Sequence, residues 1–171
     1  ILPGDFAMPV GGLNIRWPDP PLDQEMRLHQ YAVQAAVAFA RANHIDKTIF
    51  DSPHARLGIV TTGKSYLDVL QALEYLGIDH KAAEDIGIRV YKVGMTWPLE
   101  PIGIREFARG LEDIIVVEEK RSFIESQMKE QMYNWDYHTR PSVVGKYDES
   151  GEWILPSTNE LTPARIARVI A

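Results

Sequence analysis

The sequence contains no cysteine. That excludes a disulfide framework, a thiolate-bound zinc and a cysteine-held iron–sulfur cluster within these 171 residues. It also fits a reducing cytoplasm, which is the expected location. No apolar run approaches the length that crosses a bilayer, so no membrane partner is expected. No secretory signal pattern stands at the start. Positive charge is thin: 18 Lys and Arg against 24 Asp and Glu leave a net charge of −6. The basic residues are scattered, whereas a nucleic-acid partner needs a concentrated basic stripe, so none is expected. Five histidines occur, His29, His44, His54, His80 and His138. They lack HxxxH spacing and read as surface residues, so no metal ligand is assigned. A Gly-x-Ser-x-Gly elbow and a GxGxxG fingerprint are both missing.

What remains has the composition of a globular domain, 45% hydrophobic and 25% charged. The length suits one sizeable core. The chain begins at Ile1, and the closing helix from Pro163 stops without a cap, so both ends read as cuts in a longer polypeptide. Residues 1–22 hold Pro3, Pro9, Pro18, Pro20 and Pro21, which predict an extended strap. Phe6, Met8, Leu13, Ile15 and Trp17 make that strap too apolar for a free linker, so it is expected to lie against a surface. Residues 23–171 are expected to form one domain. Asp23 offers an N-cap for a helix to about Ala42 with Met26, Val33, Val37 and Ala40 on one face, and Asn43 suits its left-handed end. Thereafter short apolar runs alternate with amphipathic segments. Strands are expected at Leu57–Thr61, Ile88–Val93, Ile114–Val117 and Ser142–Lys146. Helices are expected at Ser65–Leu76, Lys81–Ile86, Ile102–Leu111 and Arg121–Tyr133, the last with Phe123, Ile124, Met128 and Met132 inward. Thr162-Pro163 is an N-cap and N1 pair for the final helix. This alternation predicts a three-layer α/β/α fold with a mostly parallel sheet of four or five strands.

Gly58-Ile-Val-Thr-Thr-Gly63-Lys64-Ser65 matches the P-loop pattern GxxxxGK[ST]. A P-loop wraps phosphate with backbone N–H groups after the strand has ended. Here Ile59 and Val60 read as strand interior, Ser65 reads as a helix cap paired with Asp68, and the later strand ends in Glu118 where a Walker-B aspartate would stand. A nucleotide- or anion-binding domain using Gly58–Ser65 is nevertheless the alternative reading. In its weaker form the turn Thr62, Gly63, Lys64 and Ser65 lies at a strand's carboxyl end before a helix, a place suited to a small anion such as part of coenzyme A. Glu118 and Glu119 sit at another strand end. Glu119 reads as a helix-dipole partner, and Glu118 as a carboxylate open to a partner or substrate. Trp97 lies in a proline-bounded loop suited equally to an interface and to burial in its own domain.

Taken together, Gly58–Tyr66, Tyr91–Pro101 (Tyr-Lys-Val-Gly-Met-Thr-Trp-Pro-Leu-Glu-Pro) and Ile114–Lys120 resemble indolepyruvate ferredoxin oxidoreductase, in its long single-chain form. The likeness extends to the strap, Leu2–Phe6 and Trp17–Pro20, and to Arg140–Gly145. It implies a parent enzyme that uses thiamine diphosphate and Mg2+ to decarboxylate an arylpyruvate such as indolepyruvate. [4Fe–4S] clusters would carry the electrons to ferredoxin, and coenzyme A would receive the acyl group. The cofactor supplies the carbanion chemistry and the protein positions it. The resemblance places this segment in the family's second domain, similar to the C-terminal domain of transketolase, packing against other domains of the same polypeptide in a homo-oligomeric parent. The diphosphate motif and the cluster cysteines are absent, so no catalytic, cofactor or metal residue carries over and the segment alone is expected to be inactive. Thr62, Gly63, Lys64, Ser65 and Glu118 remain as anion or interface candidates.

Overall fold

A computed structural model describes residues 1–14 and 19–171. Ile15 and Trp17 of the apolar strap therefore lie outside the described residues. Two compact units are present, Ile1–Ile45 and Asp46–Ala171.

In the first unit a helical run comprises α1 (Pro21–Met26), a π-helical turn (Arg27–Ala32) and α2 (Val33–Ala42). It starts earlier than expected. Pro21 occupies N1, where a missing N–H costs nothing, and Asp23 caps nothing, although it sits in the first turn where an acid suits the dipole. Met26 is exposed, because the π turn shifts the register of the expected apolar face. Asn43 is not left-handed; His44 is, with φ 49°. The Asn43 side chain instead donates to the Phe39 carbonyl at 2.7 Å. Within the strap Phe6 and Leu13 are half-buried and Met8 is exposed. Arg27 donates to the carbonyls of Val10 and Gly12.

The second unit is built on a five-stranded sheet of order β1-β3-β2-β4-β5. The strands are β1 (Lys47–Phe50), β2 (Leu57–Thr62), β3 (Ile88–Val93), β4 (Asp113–Val117) and β5 (Ser142–Val144). β2 pairs in parallel with β3, from Leu57 opposite Ile88 to Thr62 opposite Val93. On its other side it pairs in parallel with β4, which in turn pairs in parallel with β5. β1, not foreseen, adds an antiparallel edge to β3. The last strand stops at Val144 and not at Lys146, because Lys146 turns into a buried polar cluster described below.

Side chains alternate across each strand, so both faces of the sheet are apolar. One face, with Ile59, Val90, Ile115 and Val117, packs against α3 (Gly63–Tyr75), α4 (His80–Ile86) and α7 (Pro163–Ile170). The other face, with Val60, Val93, Ile114 and Val116, packs against α5 (Pro101–Ala108) and α6 (Ile124–Met132). The three layers follow from this division. The helix ends are locally specified. Asp79 accepts from the Ala82 N–H, Gly87 closes α4 with φ 86°, and Thr162 Oγ1 accepts from the Arg165 N–H with Pro163 at N1. Ile124, Met128 and Met132 are buried as expected, but Phe123 is 43% exposed because it forms the N-cap and not the inner face of α6.

Candidate functional site at the carboxyl rim of the sheet

From β2 the chain passes through α3 and α4 to β3 on one side, and from β3 through α5 to β4 on the other side of β2. The loops leaving β2 and β4 therefore diverge to opposite faces. A crevice opens between them at the carboxyl ends of the strands, the position where open α/β sheets receive ligands. Its volume is about 250 Å³, and its walls include Thr62, Gly63, Lys64, Ser65, Glu118 and Glu119. All five sequence candidates thus meet at one place, although the β2 and β4 turns lie more than fifty positions apart.

The P-loop alternative does not survive this geometry. Thr62 is still paired with Val93 in the sheet and α3 begins at Gly63, so no loop remains to encircle a phosphate. Gly58 is a packing glycine. A Cβ there would lie 2.5 Å from Leu111 Cδ1 and 2.8 Å from Phe107 Cζ. Ser65 is not the helix cap either. It stands inside the first turn, buried, and its Oγ has no hydrogen-bond partner. Asp68, expected to answer Ser65, receives Lys64 Nζ at 2.8 Å. That pairing raises the Lys64 pKa above its ordinary value, with Asp68 the main cause. Thr62 Oγ1 turns away from α3 and donates to the Val93 carbonyl at 2.8 Å. The first turn of α3 consequently has no side-chain cap, and its backbone donors face the rim.

The two glutamates exchange their expected roles. Glu118 is 3% exposed and is wholly occupied. Oε1 accepts from the N–H groups of Phe123 (2.9 Å) and Glu125 (3.0 Å), and Oε2 accepts from that of Ile124 (2.9 Å). It is the cap of α6, supplied from six residues before the first residue of the helix, and a carboxylate suits that end of the dipole. Glu119 is the more open acid. It accepts from Leu161 N–H at 3.2 Å and lies 3.9 Å from Lys64 Nζ.

Behind Glu118 lies a group that sequence reading missed. Lys146 is 3% exposed, and its Nζ donates to the Glu118 carbonyl. Its backbone N–H donates to Glu125 Oε2 at 3.0 Å, while Glu125 Oε1 takes Lys129 Nζ at 2.6 Å. Burial pulls the Lys146 pKa below its ordinary value, against the opposing pull of Glu118, Glu125 and Glu119. A Cβ on Gly145 would collide with Glu125 Oε2, so the glycine is there for closeness. The loop after β3 is tied down in parallel. Asp46 Oδ1 accepts from Gly94 and Met95, and Gln127 bridges the Thr96 carbonyl and the Leu99 N–H. Trp97 is exposed on that loop. All five histidines are exposed. No helix among the described residues is long and apolar enough to cross a membrane.

The donors present do not suit the cofactors that the resemblance implies. An iron–sulfur cluster needs thiolates, and the chain has none. Among the described residues no three acidic or imidazole side chains converge as a metal site, and Glu118 spends both oxygens on backbone N–H groups.

The fold and rim define a doubly wound α/β domain with its switch-point crevice built chiefly from backbone and positioning residues. Residues 47–171 match the family described as indolepyruvate oxidoreductase domain, and the chain belongs to that family. It is 32% identical over 118 residues to the indolepyruvate oxidoreductase subunit IorA of Pyrococcus abyssi and 31% identical over 118 residues to that of Pyrococcus horikoshii. Each alignment covers 68% of this chain and 16% of the relative, so the chain spans about a sixth of the relatives' length. Among solved structures, the 2-oxoglutarate:ferredoxin oxidoreductase of Magnetococcus marinus shares the fold with a TM-score of 0.50 at 18% identity, over 88% of this chain and 23% of that one. A split-gene transketolase in an inactive beta4 tetramer gives a TM-score of 0.49 at 19% identity, over 73% of this chain and 39% of that one.

Proposed function

We propose that this chain is a structural and assembly domain of a thiamine-diphosphate-dependent 2-oxoacid:ferredoxin oxidoreductase that oxidises arylpyruvates such as indolepyruvate to the acyl-CoA. The observation carrying this reading is the family match over residues 47–171, joined to a rim whose charged groups are spent on holding loops. In the parent, thiamine diphosphate supplies the decarboxylation chemistry and the clusters carry electrons to ferredoxin. This segment contributes shape: Trp97 and Phe123, both exposed at the carboxyl rim, present apolar surface to neighbouring domains of a cytoplasmic homo-oligomer. The test is indolepyruvate- and CoA-dependent reduction of a viologen dye, measured for the full polypeptide that contains this segment and for the 171-residue chain. Activity is expected only in the former; turnover by the chain alone overturns the reading.

A second reading is favoured by the uncapped first turn of α3 and the unpartnered Ser65 hydroxyl beside it. Thr62, Gly63, Lys64 and Ser65 would hold a small anion, such as part of coenzyme A. Titration calorimetry with coenzyme A decides this. Saturable heat lost in Lys64→Ala supports it, and absence of heat at millimolar ligand ends it.

A further inference from the structure

A second cleft lies at the opposite end of the sheet, where α5 and α6 finish and β4 begins, and has a volume of about 740 Å³. That volume accommodates a small organic molecule. Three guanidinium groups line it, from Arg105, Arg109 and Arg140, in a protein that carries six more negative than positive charges. Two acids also line the cleft, of which Glu112 is neutralised by a guanidinium and Asp136 keeps its charge. Glu112 is held two-pronged by Arg56, at 2.9 and 2.6 Å, and Asp136 Oδ1 accepts from the His138 N–H at 2.8 Å.

Basic residues near helix carboxyl ends offset the helix dipole, and that structural role accounts for part of the cluster. Arg140 donates to the Tyr133 carbonyl at 2.9 Å and so finishes α6. Arg105 lies in the last turn of α5, with its guanidinium carbon 5.0 Å from the centre of the Trp135 ring, a contact that leaves its N–H groups without a hydrogen-bond acceptor among the described residues. Arg109 is left over. It follows the helix in extended conformation, and its side chain makes no hydrogen bond or ion pair among the described residues.

We propose that this cleft is a binding site for a small organic anion carrying phosphate or carboxylate groups, with Arg105 and Arg109 as its forks and Trp135 as its apolar wall. Guanidinium groups match the planar oxygen pairs of both chemistries. The site is separate from the rim crevice and stands whether or not the parent-enzyme reading holds.

The test is an amide NMR titration of the chain with inorganic pyrophosphate and, separately, with citrate, at constant ionic strength. Saturable shifts are expected in residues 109–112 and 134–140. Arg109→Gln, which removes no contact of the fold, weakens the affinity about tenfold, while Lys64→Gln leaves it unchanged. Response to pyrophosphate alone identifies a phosphate ligand, and response to citrate alone identifies a carboxylate ligand; either supports the site. Absence of saturable shifts at millimolar anion, shifts centred on residues 62–65, or affinity unaltered in the Arg105→Gln, Arg109→Gln double variant overturns it.

Discussion

Glu118→Ala should be the most destabilising single change at the rim. The substitution strips three backbone N–H groups of their acceptor at once. Phe123 is 43% exposed, so water can replace the carboxylate there, but Ile124 and Glu125 are buried and keep no partner. Losing an N-cap costs about 1 kcal/mol, and a buried donor left unsatisfied costs roughly 1–3 kcal/mol. Two such donors, partly relieved by local fraying, give about 3 kcal/mol. For a chain of this length that lowers the midpoint of thermal unfolding by roughly 6–12 °C. Calorimetric melting reads the shift, and hydrogen exchange reads its place, with protection lost first at the Ile124 and Glu125 amides. Glu118→Gln keeps one carbonyl oxygen and should fall between the two. A drop under about 2 °C for the alanine variant, with α6 amides still protected, would refute the assignment of Glu118 as a cap.

Asp46 carries a pKa above its ordinary value, chiefly from burial, and its Oδ2 has no partner while Oδ1 holds Gly94 and Met95. A raised folded-state value means that the folded state favours the protonated acid, so the side chain's contribution is most favourable below the ordinary 3.8 and is lost as pH rises through the folded value. Asp46→Asn should therefore be more stable at pH 7, by roughly 0.5 kcal/mol once solvent screening of this half-exposed group is allowed for, with the gain vanishing in melts below pH 4. Gly58→Ala should cost about 2 kcal/mol through crowding of Leu111 and Phe107, read as an earlier urea midpoint without a changed slope. Lys64→Ala should lower the melting temperature by no more than about 2 °C, because the lysine end of its i,i+4 pair with Asp68 is in solvent, and magnesium-ATP should stabilise neither the original chain nor the variant.

The parts of this fold legible from sequence are those written in local pattern. β2, β3 and β4 are apolar runs buried on both sides, and α3, α4 and α7 carry their own stops and caps at Gly77, Gly87 and Thr162. β1 was illegible because four residues with one buried side chain carry no period, and its place depends on a partner more than forty positions away. The Glu118 and Glu119 assignment failed for a related reason. Adjacent acids look alike in a sequence, and only the path of the chain after Lys120, with φ 60°, decides which one turns back onto α6. Lys146 looked like the end of a strand, since the carbonyl it reaches is 28 positions away. Bringing the β2 and β4 turns together required the strand order, which no local signal encodes.

The sheet's two borders bear on how it can meet other proteins. One border strand has four residues, begins with Lys47 and breaks register between Thr48 and Phe50; the other has only three. Neither presents a long flat row of free N–H and C=O groups to an incoming strand, which is how natural sheets escape edge-to-edge aggregation. Lengthening the domain strand by strand is therefore unfavourable. Contacts with other proteins then fall to its helices and loop tips and not to its strand edges.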